Sequence, residues 1–547
     1  MIGKRFTDVD LKGDLFGGVT TAIISLPLAL AFGVASGAGA EAGLWGAIMV
    51  GLFASLFGGS STLISEPTGP MTVIMTAVLT TMMAKYPETG MAMTFTVVMM
   101  AGAFQILLGT LKLGKYVTLM PYSVISGFMS GIGVILIILQ LAPLLGHAAP
   151  AGGVTGMLSA LPDIVANMSF GELFLGLLTL AILFLMPKKY RRYVPAQLVA
   201  LVAVTLLSML FFGSDDIRRI GEIPAGLPSL VIPTFTSDTL VTMIIDALVL
   251  GTLGCIDTLL TAVIGDSLTR KEHDSDKELR GQGLANMLSG LVGALPGAGA
   301  TMGTVTNIQV GARSPLSGVI RALVLALVVL VAGGLTEPIP MAVLAGIAVY
   351  VGFNILDWSF IQRAHKVSLQ GMAIMYGVML LTVFVDLIVA VGLGVFISNI
   401  IIIERLSREQ ARQVKAISDA DDDDVPLTDS ERSILDQAEG KVLFFYLSGP
   451  MIFSVSKAIS RQHSSINDYQ AMILDLTDVP MLDVTVGLAL ENAIKDATEA
   501  NVEVFLLCPN MQTRNQLEKF HVLELIDEAH TFEFRSHALK AAVKAVN

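Results

Sequence analysis

About fourteen apolar runs, most of them roughly 15 to 22 residues long, follow one another through the first three quarters of this chain. About 20 apolar residues in a helix span the hydrocarbon core of a bilayer. Only helices and closed barrels satisfy their backbone polar groups there, so the runs predict a polytopic all-α membrane domain. Two runs, starting at Pro70 and Thr301, are too short to cross alone and read as half-helices. Each follows an interruption, Thr68-Gly69-Pro70 in one and Gly297-Ala298-Gly299-Ala300-Thr301 in the other. Irregular backbone at bilayer depth is tolerated only inside protein or beside a water-filled cavity, so the interruptions mark a binding site. Segments one to seven and eight to fourteen each carry their break in the third position. That predicts two inverted seven-segment repeats with a site at the midplane, the plan of a carrier.

Charge sorts the chain further. Apolar residues make up 53% and charged residues 15%, which excludes an ordinary soluble domain. Nearly all of the net charge of −12 falls beyond residue 403, and that acidity argues against nucleic acid as a partner. Lys4, Arg5 and Lys12 at the N-terminus, Lys112 and Lys115, Lys188 to Arg192, Arg270 to Arg280, Arg313, and Arg363 with Lys366 fall in alternate loops. Short cytoplasmic loops are rich in Lys and Arg, so both termini are expected on the cytoplasmic side. Lys85 and Arg218-Arg219 break the pattern, with Glu88, Asp215, Asp216 and Glu222 nearby to offset them. The expected boundaries are a transmembrane domain over 1–403, a charged linker over 404–439 and a small α/β domain over 440–547. The last rests on strand-like KVLFFYLSGPMIF, AMILDLTDV and NVEVFLLCP alternating with helical periodicity.

Asp257 lies near the middle of an apolar helix, GTLGCIDTLLTAVIG, where a carboxylate is costly and by default functional. Thr261, at i+4, shares its face. A carboxylate, a hydroxyl and carbonyls freed at Gly299-Ala300 form a hard-oxygen set that suits Na⁺. The competing reading is an aspartate bonded to a neighbouring helix for packing. Thr68, Gly69, Ala300 and Thr301 stand at the two half-helix starts. Each start offers free N–H groups and roughly +0.5 of charge, so two facing starts make an anion site. The competing reading there is a proline kink in a continuous helix. Glu66 reads equally as gate, ligand or satisfied loop residue. No nucleophile motif, phosphate loop or Cys/His cluster points to an enzyme or a transition-metal site.

DLFGGVTTAIISLPLALAFGVASG (14–37), SEPTGPMT (65–72), LMPYSVISGFMSGIG (119–133) and the appended α/β domain together resemble the sulfate permease (SulP) family with its STAS domain. AFGVASGAGAEAGLWGA (31–47), GCIDTLL (254–260), DSLTRKEH (266–273) and GAGATMGTV (297–305) are closer still to the family's cyanobacterial bicarbonate transporters. The resemblance implies a homodimer in the cytoplasmic (inner) membrane, an elevator-like motion and sodium-dependent bicarbonate uptake. A sulfate, dicarboxylate or chloride transporter of the same fold is the alternative. It implies that Asp257, Thr261, Gly299, Ala300 and Thr301 hold the co-transported Na⁺. Thr68 and the two starts, Gly69 with Ala300, Thr301 and Met302, would hold bicarbonate. Many family members look like S-R-T where this chain has Met302-Gly303-Thr304. With no other Lys or Arg expected near the breaks, bound Na⁺ is expected to supply the missing positive charge. In the C-terminal domain Asp483 precedes Val484, not the serine that related domains phosphorylate.

Overall fold

A computed structural model describes residues 10–117, 121–150, 152–187, 189, 194–213, 216–221, 226–332, 334, 336–385, 387–412, 414–418, 425–451, 456, 459 and 469–547. Lys4, Arg5, Lys188, Arg191, Arg192, Asp215, Glu222, Leu119, Met120 and the acidic run 419–424, all used in the sequence argument, lie outside the described residues. The chain divides into two compact units, Met1–Ser398 and Asn399–Asn547.

The first half of the membrane unit comprises α1 (Leu11–Ala35), α2 (Ala40–Phe57), strand β1 (Ser65–Glu66), α3 (Gly69–Lys85), α4 (Gly90–Thr110), α5 (Tyr122–Leu139), α6 (Gly153–Ala166), α7 (Phe170–Leu185) and α8 (Ala196–Phe211). The second half comprises α9 (Leu240–Thr269), α10 (Ser275–Leu291), β2 (Ala298–Gly299), α11 (Thr301–Val310), α12 (Leu316–Ala332), α13 (Met341–Ile355), α14 (Trp358–Val367), α15 (Leu369–Phe384) and α16 (Leu387–Ala411). Setting aside α6 and α14, seven segments per half match the predicted count, with the break third in each. An odd number per half inverts one half against the other.

The structure adds to the sequence reading in two places. The loop between segments five and six contains α6, which meets α7 at 116°. Its apolar residues occupy one stripe only, so it has no spanning run to betray it. Segment nine, expected as an apolar run over 281–296, is a polar helix, α10, that ends at Leu291. It stays in the interior because glycines let its backbone approach α4. A Cβ on Gly283 would lie 2.5 Å from the carbonyl oxygen of Gly102, and one on Gly102 equally close to that of Gly283. Small residues at a membrane helix seam permit such contact. The seam holds Gln282, Asn286 and Ser289 of α10, all buried, against the second break.

Of the basic residues that break the loop pattern, Lys85 and Arg218 pair with carboxylates distant in sequence, and Arg219 is held by uncharged oxygens. Lys85 pairs with Asp238 at 3.0 Å. Arg218 makes a forked bond to Glu172, 3.0 and 2.7 Å, and also donates to the carbonyl of Pro143. Arg219 donates to Pro338 O and, at 3.1 Å, to Ser208. Lys112, Lys115, Arg270, Arg280, Arg313, Arg363 and Lys366, in the alternate loops, are exposed.

The second unit is a mixed five-stranded sheet in the order β3-β4-β5-β6-β7: Val414–Ile417, Val442–Ser448, Ala471–Asp478, Glu503–Leu507 and Thr531–Phe532. Only β3 runs antiparallel. The described parts of the 404–439 segment, expected as a linker, supply the end of α16, all of β3 and α17 (Asp429–Asp436). Four residues of strand are too few to show a period in sequence. One face of the sheet packs on α18 (Val484–Glu499) and α19 (Met511–Lys519) through Val486, Leu490, Ile494 and Leu517, the other on α17 and α20 (Arg535–Val546) through Leu435, Leu539 and Ala542. Asp483 stands at the cap position of α18, and Thr485 is exposed. Asp475, fully buried on β5, is held by Arg535 Nε at 2.7 Å, while Arg535 Nη2 reaches Asp478 at 2.8 Å. Burial pushes the Asp475 carboxyl up, and the Thr477 hydroxyl and Arg535 pull against it. Arg535→Lys keeps the charge but loses the fork. It is expected to cost about 1.5 kcal/mol, read as a lower thermal midpoint for this domain.

Candidate functional site

Pro70 has no N–H to give, and Gly297 to Gly299 favour extended or turning backbone over helix. The chain therefore leaves the helix twice, and the two extended pieces satisfy each other. Ser65 pairs with Gly299 and Glu66 with Ala298 in an antiparallel ribbon two residues long. Ala300 N donates to Ile64 O at 2.7 Å, and Ile64 N donates to Thr304 Oγ1 at 3.0 Å. Backbone groups that the ribbon leaves over are taken up by side chains of α9 and α10. Asn286 accepts from Gly297 N at 2.8 Å and donates to Gly297 O at 3.0 Å and to Gln105 Oε1 at 2.9 Å. Gln282 also donates to Gly297 O, at 2.8 Å, Thr258 Oγ1 accepts from Gly299 N at 3.1 Å, and Ser289 donates to Leu295 O at 2.6 Å. Sequence reasoning missed Gln105, Thr258, Gln282, Asn286 and Ser289. The visible signal was a run of amides and hydroxyls in a segment counted as membrane-spanning.

The ribbon brings the residues singled out from sequence into one place. Thr68 Oγ1 donates to Asp257 Oδ2 at 2.9 Å. Thr261, almost fully buried, donates to the Gly299 carbonyl at 2.9 Å, which leaves its oxygen to accept from the Thr301 hydroxyl at 3.0 Å. Asp257 is half-buried, Ala300 is buried at the edge, and Thr301 is exposed. Met302 is exposed too, with its sulfur 3.8 Å from Gln197 Nε2. Among the described residues no group of three His, Cys, Asp or Glu is placed to hold a metal ion. What Asp257, Thr261, Gly299 and Thr301 offer is one carboxylate with hydroxyl and carbonyl oxygens. That donor set suits a singly charged hard cation.

The helices that follow the breaks, α3 and α11, start without a side-chain cap; α11, at 10 residues, is the half-helix expected, whereas α3, at 17, is as long as the other segments. Thr68 is the N-cap of α3 and threonine caps well, yet its hydroxyl bonds none of the first amides of α3 and goes to Asp257. Ala300, the N-cap of α11, has no side chain that could cap. Asp10, Ser169, Asp274 and Ser368 do cap the helices they precede, whereas Thr89 and Thr239, like Thr68, do not. Uncapped first-turn amides, with the positive end of the helix dipole behind them, are the donors an anion needs.

The expectation of no basic residue near the breaks is overturned. Arg321, on α12, is fully buried and ion-paired with Glu66. It also donates to Ser25 Oγ at 2.9 Å, Ser65 O at 3.1 Å and Ala47 O at 3.4 Å. Ser25 donates to Glu66 in turn. Glu66 Oε2 is therefore held within the break by Arg321 and Ser25. Position 303 faces the same place, since a Cβ there would lie 3.4 Å from Glu66 Oε1 and 3.1 Å from Ile64. The pair is neutral, so the net charge at the helix starts is still what the two helix ends supply.

The chain is similar to known proteins along nearly its whole length. Residues 11–378 match the Sulfate permease family and residues 433–538 the STAS domain. The chain is 59% identical over 537 residues to the bicarbonate transporter BicA of Synechocystis, covering 98% of this chain and 95% of that one. It is 57% identical over 541 residues to BicA of Picosynechococcus, with the same coverage. Among solved structures, the transmembrane domain of a cyanobacterial BicA superposes with a TM-score of 0.68 at 63% identity, over 71% of this chain and 98% of that one. Murine solute carrier 26 family member A9 superposes with a TM-score of 0.83 over 99% of this chain and 93% of that one, a likeness of fold at 20% identity. This chain is a multi-pass membrane transporter of the sulfate permease family, with a STAS domain at its C-terminal end.

Proposed function

We propose that this chain carries bicarbonate into the cell together with Na⁺ across the cytoplasmic membrane. The observation that carries the reading is the bond between Thr68 and Asp257. It puts a hydroxyl at one helix start in contact with the carboxylate of the cation set. In this reading Asp257, Thr261, Gly299, Ala300 and Thr301 hold Na⁺. Thr68, Gly69, Ala300, Thr301 and Met302 hold the anion. Asp257 cancels the charge of Na⁺, and two helix starts of roughly +0.5 each balance one monovalent anion. Bicarbonate meets that condition near neutral pH, whereas sulfate leaves a negative charge over. The names of the relatives that align along nearly the whole chain support the same anion.

Transport resides in residues 1–403 and works by an elevator-like motion that carries the paired helix starts as one body. The C-terminal domain, 440–547 together with β3 and α17, serves assembly of a homodimer. The alternation of basic loops along the sequence supports a cytoplasmic position for both termini. The test is uptake of radiolabelled bicarbonate into proteoliposomes, with an inward gradient of sodium or of choline. Saturable uptake that needs sodium is the expected result, and uptake unchanged in choline overturns the coupling.

A further inference from the structure

The sodium and bicarbonate reading makes no use of the Glu66–Arg321 pair, although it lies beside the site. Glu66 is two residues before Thr68, and its Oε1 lies 3.4 Å from where a Cβ of residue 303 would be, in the first turn of the second half-helix. Both charges therefore sit within about one helical turn of the amides that receive the anion. Arg321 is locked there, because its guanidinium bonds Glu66, Ser25, Ser65 and Ala47, drawn from α1, α2 and β1. Packing alone does not require a charged pair. A buried ion pair is commonly replaceable by apolar residues without loss of stability, and ionisable groups at bilayer depth are costly.

We propose that Glu66 sets the charge selectivity of the site. By cancelling Arg321, it holds the field at the two helix starts near a single positive charge, so that only a monovalent anion accompanied by Na⁺ leaves the loaded site neutral. Without Glu66, Arg321 supplies the positive charge that Na⁺ otherwise brings, and a dianion can be balanced. The proposal rests on the sodium-coupled bicarbonate reading above. Charges at this range, with little water between them, shift anion binding by roughly tenfold or more.

The test uses the full chain in proteoliposomes and measures labelled bicarbonate and labelled sulfate uptake in sodium and in choline. Glu66→Gln keeps the size of the side chain and an acceptor for Arg321 and Ser25 but removes the charge. Bicarbonate uptake in choline should appear, and the sulfate-to-bicarbonate ratio should rise at least ~10-fold. Arg321→Gln leaves Glu66 uncancelled, and the KM for bicarbonate should rise by a similar factor while sodium remains essential. The double variant Glu66→Gln/Arg321→Gln is neutral again, and its sodium dependence and anion ratio should return to wild-type values whatever its rate. A purely structural role for the pair predicts instead that the double variant is at least as altered as either single one.

Gel filtration reports whether each variant is folded, and should one single variant fail, the other and the double variant decide. A wild-type protein without sodium-dependent bicarbonate uptake overturns the underlying reading and this proposal with it. A wild type that behaves as expected, beside a Glu66→Gln variant with unchanged sodium dependence and anion ratio, overturns this proposal alone.

Discussion

Asp257→Ala should abolish sodium-stimulated uptake. Asp257 is the carboxylate of the cation set, and the Thr68 hydroxyl also depends on it. A hydrogen bond to a charged group is worth about 1.5–3 kcal/mol, and a lost charge partner in a poorly hydrated site costs at least as much. The half-saturation for sodium should therefore rise ~100-fold or more, beyond any practical concentration. Asp257→Asn separates charge from shape, because its carbonyl can still accept from Thr68. That variant should stay folded and lose the sodium response all the same. The measurement is initial bicarbonate uptake against sodium concentration, with thermal stability followed in parallel. An alanine variant with wild-type sodium dependence would remove Asp257 from the site and leave it a packing residue.

Asn286→Leu should be the most damaging change to the fold of the site. Leucine matches asparagine roughly in size, but it leaves Gly297 N–H and Gln105 Oε1 without their partners in a fully buried position. Each orphaned group costs about 1–3 kcal/mol, so a loss on the order of 2–6 kcal/mol is expected, with transport lost as the second break loosens. Gln282→Met makes a useful contrast. It removes one bond to Gly297 O, which Asn286 still serves, and with it a buried Oε1 that lacks a partner. Its effect on the thermal midpoint should be small, and the reverse order of severity would contradict this account of how the break is held.

Much of this arrangement could be read from the chain because bilayer physics makes deviations conspicuous. A glycine-rich or proline break in an apolar run, or a lone aspartate within one, has few explanations. Arg321 was legible by the same rule, as a charge inside VIRALVLALVV, but its place beside Glu66 depends on a fold that brings residues 255 positions apart together. The network around Asn286 stayed hidden for a different reason. Polar side chains that serve another segment's backbone leave no period in their own sequence, and α10 was counted as an apolar crossing. Helix α6 escaped because an amphipathic helix lacks a spanning run, and β3 because four residues do not establish alternation. The partners of Lys85 and Arg218 show the limit of nearness in sequence: both pair with carboxylates dozens of residues or more away, at Asp238 and Glu172.

The ribbon that joins Ser65–Glu66 to Ala298–Gly299 acts as a yoke. Since each half-helix begins where its strand of the ribbon ends, neither start can draw back without dragging the other. Cargo cannot be let go by prising the holder apart, and a bulkier anion cannot make room by spreading it. A change of cargo size has to come from the side chains that line the gap, Thr68 and Thr301 first among them, and lengthening either loop would break the yoke before it widened the space.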